Sequence, residues 1–254
     1  MNASPSDIGR TAAMQTIQTR AIEYEYDGAK MQGFLAYDDA VKGKRPGILV
    51  FPEWWGLNEY AKTHAKQLAE FGYVAFAADL NGDGEVIEIT HPEEAAMNAG
   101  ALRANPKTWR GRATAAFMQL TAQPNVDASK IAAIGYCLDT AFQPAYTGAD
   151  LKAVATFHSA LPTPTDAEAR AIQAKVLVCL GAADTFIPEK AIKDFRAALD
   201  AAGVSLDFIT YEGVVHSFTS PSADRVGNPG MKYDKDADED SWRRMKELFA
   251  ATFA

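Results

Sequence analysis

Short apolar runs recur along the chain, separated by stretches in which apolar residues return every three or four positions. Gly47 to Phe51, Tyr73 to Ala78, Lys130 to Ile134, Ala153 to Phe157, Val176 to Leu180 and Leu206 to Tyr211 are strand-like runs. Little alternation within most of them predicts strands covered on both faces. Leu57, Ala61, Ala65 and Leu68 have helical spacing, so Asn58 to Phe71 predicts a helix that Gly72 can end. Pro92 to Ala122 is helical in composition, with a break near Asn105-Pro106. Helices also fit Glu189 to Ala202 and Asp238 to Phe253. Ahead of this alternation, Ile22 to Tyr26 and Met31 to Tyr37 flank Asp27-Gly28. That dipeptide favours a hairpin, because both turn positions need positive φ.

A hairpin followed by repeated strand–helix units predicts an α/β fold. The sheet should be mostly parallel, of about eight strands, with helices on both faces and an antiparallel hairpin at its start. No Pro/Gly/Ser-rich linker divides the chain, so residues 21–254 read as one domain behind a weakly ordered arm, residues 1–20. At 254 residues, with 48% hydrophobic and 23% charged side chains, the chain can bury a substantial core. A formal net charge of −8 argues against nucleic acid or anionic membrane as a partner held by bulk charge. No apolar run approaches a membrane span, and residues 1–20 have no leader-like apolar block, so the expected location is the cytoplasm. Only Cys137 and Cys179 are present, both after strand-like runs, and both are expected as reduced thiols in a monomer. No metal-ligand spacing joins the four histidines to the carboxylates, so neither metal nor cofactor is expected.

Chemistry concentrates at three strand ends. The run Lys130-Ile-Ala-Ala-Ile leads directly into Gly135-Tyr136-Cys137. A nucleophile on a sharp strand-to-helix turn projects into a site, and the next main-chain N–H can stabilise an oxyanion. Gly135 provides room where strand and helix cross, and a thiol at a helix N-terminus ionises more readily. By itself Cys137 would more often be a buried core thiol. Its order in the chain argues otherwise. Asp184 follows Val176 to Gly181, and His216 follows Tyr211-Glu-Gly-Val-Val. Nucleophile, acid, histidine, each on the loop after a strand, is the α/β-hydrolase order. Separately, Asp184 could cap a turn and His216 could be a satisfied core histidine. His64, His91 and His158 read as structural or surface residues.

Gly-Tyr-Cys-Leu, the loop from Gly181 to Asp184 and Gly-Val-Val-His-Ser-Phe together resemble the dienelactone hydrolase family, from about Ile22 to the C-terminus. Phe51-Pro52-Glu53-Trp54-Trp55-Gly56 resembles the family's first catalytic loop. The resemblance implies that Glu53 contacts the thiol and helps activate it. It also implies that the N–H groups of Trp54 and Leu138 form the oxyanion hole. Trp54 and Trp55 would line the pocket mouth. The chain departs from the family where Asp139 and Thr140 replace glycines after the cysteine, and where Ser220 replaces a substrate-binding arginine. Arg103 and Arg225 are the candidate replacements. Asp139 adds bulk and negative charge beside the thiol, although an acidic first turn suits a helix dipole. Pro144 should shorten the following helix.

Two functions follow. One is a carboxylic ester or lactone hydrolase acting on a small molecule through a Cys-His-Asp triad and a thioester. The alternative is an altered hydrolase scaffold that binds a small molecule without efficient turnover, a reading that Asp139 favours. A thiol redox role lacks a Cys-x-x-Cys partner.

Overall fold

Asp27 and Gly28 take φ of 51° and 77°, the two left-handed positions a tight hairpin requires. In the computed structural model, which describes residues 16–254, they join β1 (Ile17–Tyr26) to β2 (Ala29–Asp38) in antiparallel register. β1 thus begins inside the stretch expected to be a loose arm. Residues 17–20 form strand because their backbone pairs with β2, Arg20 opposite Leu35. Their side chains are mostly exposed on this edge, so no apolar pattern marks them. Residues 1–15 of the expected arm lie outside the described residues.

Next come β3 (Arg45–Phe51), α1 (Glu59–Glu70), β4 (Val74–Ala77), α2 (Pro92–Ala104) and α3 (Pro106–Thr121). They are followed by β5 (Val126–Tyr136), α4 (Gln143–Tyr146), β6 (Ala153–Phe157), α5 (Asp166–Ala171), β7 (Lys175–Gly181), α6 (Glu189–Ala201), β8 (Leu206–Tyr211) and α7 (Lys235–Phe253). Local chemistry sets several of these bounds. Asn58 Oδ1 accepts from Ala61 N at 3.2 Å and opens α1. Asn105 closes α2 and caps α3 through Thr108 N, with Pro106 in the first turn, so the expected break falls there. α5 was not expected, yet Thr165 and Glu168 form its capping box.

The eight strands run β1-β2-β4-β3-β5-β6-β7-β8, parallel from β4 to β8. Along β3, Ile48 and Val50 join one core cluster with Ala61, Ala65 and Leu68 of α1 and Phe249 of α7. Leu49 and Phe51 join the other, with Trp109, Ala113 and Leu120 of α3 and Phe195 of α6. Successive strand residues therefore feed opposite faces, each covered by helices, which explains the missing alternation. The register aligns the strand ends: Phe51 with Gly135, Tyr136 with Phe157, Phe157 with Cys179 and Gly181 with Tyr211. The loops carrying Glu53, Cys137, Asp184 and His216 thereby leave one carboxyl edge of the sheet, the usual place for a site in such folds. Among the described residues no helix is long and apolar enough to cross a membrane.

Candidate active site

Cys137 follows β5 with a φ of 61°, a left-handed conformation costing about 1–2 kcal/mol for a residue with a Cβ. Its neighbours hold it there. Cys137 N donates to Phe157 O at 3.2 Å, and its carbonyl accepts from Ala160 N at 2.8 Å. The crossing is as tight as expected, since a Cβ on Gly135 would stand 2.8 Å from the Ala141 Cβ. The helix after the cysteine is short, as Pro144 predicts. Thr140–Phe142 forms a 3₁₀ turn and α4 adds four residues, with Pro144 in its first turn. Any dipole effect on the thiol comes from that short segment alone.

His216 reaches the thiol from the loop after β8. Its Nε2 lies 3.4 Å from Cys137 Sγ, and its Nδ1 donates to Asp184 Oδ2 at 2.7 Å. Asp184 Oδ1 accepts from Phe186 N at 2.9 Å, which fixes the carboxylate. Gly181 lets the two loops meet, because a Cβ there would sit 2.3 Å from Val214 O. All three side chains are buried. Burial pushes the His216 imidazole down, but the adjacent sulfur and the Asp184 carboxylate outweigh it and lift it to about 10. Both cysteines are free thiols, and burial pushes Cys179 up to about 12.

Glu53 departs from its expected contact. Its Oε1 accepts from Ser217 Oγ at 3.2 Å, and the sulfur bonds His216 instead. Ser217, at φ 55°, turns its hydroxyl inward to supply that donor. Burial lifts the Glu53 carboxyl to about 7, and the His216 charge and the Ser217 bond only partly offset this. Among the described residues no group accepts from the Trp54 main-chain N–H. The Leu138 N–H sits 2.5 Å from Tyr136 O, so in the resting site it is engaged within the turn.

Two clefts hold the candidate substrate-binding arginines. One, of about 520 Å³, is lined by Arg103, Trp109, Arg110, Asp139, Gln143, Leu161 and Phe186 among others. The Phe186 ring lies 5.0 Å from that of His216, so this cleft adjoins the His216 side chain. The other, of about 500 Å³, includes Trp55, Tyr60, Ile87 and Arg225. Arg103 and Arg225 therefore stand in separate clefts and do not converge on one group. Trp55 is buried against Trp54, ring centroids 5.0 Å apart, and Trp54 is partly buried against the core.

The unusual elbow residues each have a hydrogen-bond partner. Asp139 is buried, and Gln143 Nε2 donates to its Oδ2 at 2.7 Å. Burial raises its carboxyl to about 6, against the pull of its own main-chain N–H and Arg103. Thr140 Oγ1 accepts from Trp109 Nε1 at 3.1 Å, tying the elbow to α3.

Ser217, the Glu53 partner, carries no signal in the sequence, and His158, expected as a structural or surface residue, lies against His216. The His158 ring is fully buried, packs edge-on at 5.0 Å from His216, and bonds Thr219 Oγ1 through Nε2 at 2.8 Å. Its place after β6 was readable, but its φ of 41° and its ring contact arise from tertiary packing. Burial holds it well below the ordinary histidine range, so it stays neutral beside His216. Among the described residues no three His, Cys, Asp or Glu side chains converge as a metal would require.

Comparison with known proteins agrees with the fold. A dienelactone hydrolase-like promiscuous phosphotriesterase from metagenomic libraries superposes with a TM-score of 0.90 at 38% identity, covering 94% of this chain and 99% of its own. A protein from Saccharolobus solfataricus named "Putative carboxymethylenebutenolidase" is 26% identical over 262 residues, covering 90% of this chain and 97% of that protein. A dienelactone hydrolase from Anabaena variabilis shares the fold at a TM-score of 0.67 and 16% identity, covering 94% of this chain and 99% of its own. The sequence model of one family spans residues 31–253, nearly every element described above, and by that match the chain belongs to the dienelactone hydrolase family.

Proposed function

We propose that this protein hydrolyses small carboxylic esters or lactones through Cys137, His216 and Asp184. The observation that carries the reading is the line of contacts from Asp184 Oδ2 to His216 Nδ1 at 2.7 Å and from His216 Nε2 to Cys137 Sγ at 3.4 Å. With the proton of the sulfur–imidazole pair on His216 Nε2, the sulfur attacks the substrate carbonyl carbon. Asp184 holds the imidazole in the tautomer that can receive the proton and stabilises the imidazolium. Negative charge on the carbonyl oxygen meets the free Trp54 N–H, and the Leu138 N–H joins if it shares or leaves Tyr136 O. As the tetrahedral adduct collapses, His216 protonates the leaving oxygen and a thioester remains on Cys137. A water molecule, deprotonated by His216, then adds to the thioester carbonyl. The carboxylic acid departs and the thiol is restored.

Glu53 takes a supporting part in this reading. A carboxyl lifted to about 7 is poised to exchange a proton near neutrality, and Ser217 connects it to the His216 loop. Trp54, Trp55, Arg103 and Arg225 are assigned to substrate binding, the arginines in different clefts. No step calls for a metal or cofactor, and the expected partner is the small-molecule substrate alone. A chromogenic ester tests the proposal. A rapid burst of alcohol, an acyl mass increment on the Cys137 peptide, and loss of both in Cys137→Ala are expected. Undiminished turnover in that variant would sink the nucleophile assignment. Ligand binding with no burst would favour the non-catalytic scaffold.

A further inference from the structure

Asp139, two residues beyond Cys137, lines the cleft that holds Arg103 and Arg110, and its neighbours determine which atoms it can offer. The residue is only 2% exposed. Gln143 Nε2 donates to Asp139 Oδ2 at 2.7 Å, while Gln143 Oε1 accepts from Arg110 Nε at 3.0 Å. An arginine only donates, so the amide oxygen must face Arg110 and the amide nitrogen must face Asp139. The carboxyl is thereby held as an acceptor. A carboxylate has about four acceptor positions. Gln143 occupies one and the Asp139 main-chain N–H faces the group, leaving capacity at the cleft wall. Arg110 is paired with Glu168, and Arg103 stands at the exposed rim. With Asp139 ionised, the arginines and carboxylates lining the cleft balance in charge. A balanced cleft with a spare buried acceptor suits a neutral donor better than an ammonium group, which both arginines would oppose.

We propose that Asp139, positioned by Gln143, selects ester or lactone substrates that carry a neutral hydrogen-bond donor, a hydroxyl or amide N–H, on the portion seated in this cleft. The proposal rests on the reading of Cys137 as the nucleophile, and it adds a substrate class. It also accounts for the departure from the family's glycine. The side chain is an acceptor in the wall of a cleft two residues along the chain from Cys137, and its burial is made tolerable by Gln143.

Two matched ester series test it, because either the acyl or the leaving portion can enter the cleft. One comprises 4-nitrophenyl benzoates bearing para hydroxymethyl, methoxymethyl or ethyl groups. The other comprises phenyl acetates bearing the same groups at the meta position. Each kcat/KM is divided by the rate of the same ester in hydroxide alone. In one series the protein should favour hydroxymethyl over methoxymethyl by about tenfold or more, the scale of a hydrogen bond to a charged group. Asp139→Leu should erase that preference. Asp139→Asn should do something more specific. Gln143 still presents a donor, so the introduced amide must turn its oxygen to Gln143 and its NH₂ to the cleft. Methoxymethyl should then rise to equal hydroxymethyl, both above ethyl. A flat response in both series, or a hydroxymethyl preference that survives Asp139→Leu, overturns the proposal. Turnover that survives Cys137→Ala overturns the nucleophile reading instead. Flat ratios with Cys137-dependent turnover overturn the role of Asp139 alone. Where turnover is absent, calorimetric affinities of the matching acids and phenols read the same preference.

Discussion

Replacing Glu53 by Gln should change how stability depends on pH, in a direction opposite to most carboxylates. The Glu53 side chain is buried, and its carboxyl is lifted from 4.5 to about 7. The native protein therefore keeps a proton on Glu53 that the unfolded chain has already released. Stability falls as pH rises from about 4.5 to 7, because folding then takes up a proton. At about 1.4 kcal/mol per pKa unit, the lost stability amounts to roughly 3 kcal/mol between pH 4 and pH 8. Glutamine keeps the size and an acceptor for Ser217 Oγ but cannot ionise. The variant should therefore gain on the parent by roughly 3 kcal/mol across that interval. For a chain of this size that corresponds to a relative rise in melting temperature of roughly 6–12 °C. Parallel denaturant titrations at half-unit steps from pH 4 to 8 measure it, and taking the difference cancels groups common to both proteins. A pH-independent difference would mean that Glu53 ionises as freely in the folded protein as in the unfolded one. A parent that gains on the variant with rising pH would mean that the charged form is stabilised in place, and the reasoning from burial would be wrong. The variant should also hydrolyse esters more slowly near neutrality if Glu53 helps activate the thiol.

Other expectations follow from the same geometry. Brief iodoacetamide treatment should label Cys137 well before Cys179, whose thiol is fully buried and pushed up to about 12; peptide mapping that finds Cys179 first would reverse the assignment. His216→Ala should lower kcat/KM for a chromogenic ester by about 10²–10⁴, whereas a large drop in melting temperature with little kinetic effect would make the histidine a packing residue. Gly181→Ala should destabilise the protein by about 1–3 kcal/mol and slow turnover, because the new methyl meets Val214 O at 2.3 Å and pushes apart the loops bearing Asp184 and His216. Unchanged stability and activity in that variant would show that those loops yield freely.

The strands and most helices are written in the sequence, because a two-sided parallel sheet needs continuous apolar runs and its covering helices need a 3.6-residue stripe. Ala153–Phe157 and Leu206–Tyr211 form strands with the bounds expected from those runs. The hairpin was legible from Asp27-Gly28, and the break between α2 and α3 from Asn105-Pro106. The first strand turn of β1 was not legible, since an exposed edge strand is held by backbone pairing that leaves no apolar trace.

At the site, chain order alone nominated Cys137, Asp184 and His216, because this fold places its chemistry on loops after strands. Which atoms meet was decided only in three dimensions. Ser217, with a positive φ that its residue type does not announce, claimed Glu53 and left the sulfur to His216. Arg103 and Arg225 both looked available to one ligand, yet α2 and the turn near Val226 carry them to different clefts. Asp139 was conspicuous as a departure, but its meaning depended on Gln143 and Arg110, which sit 4 residues along the chain and on another helix. A sequence records which groups are present and how often apolar residues recur. Partnership between polar groups is set by burial and distance, and those exist only once the chain has packed.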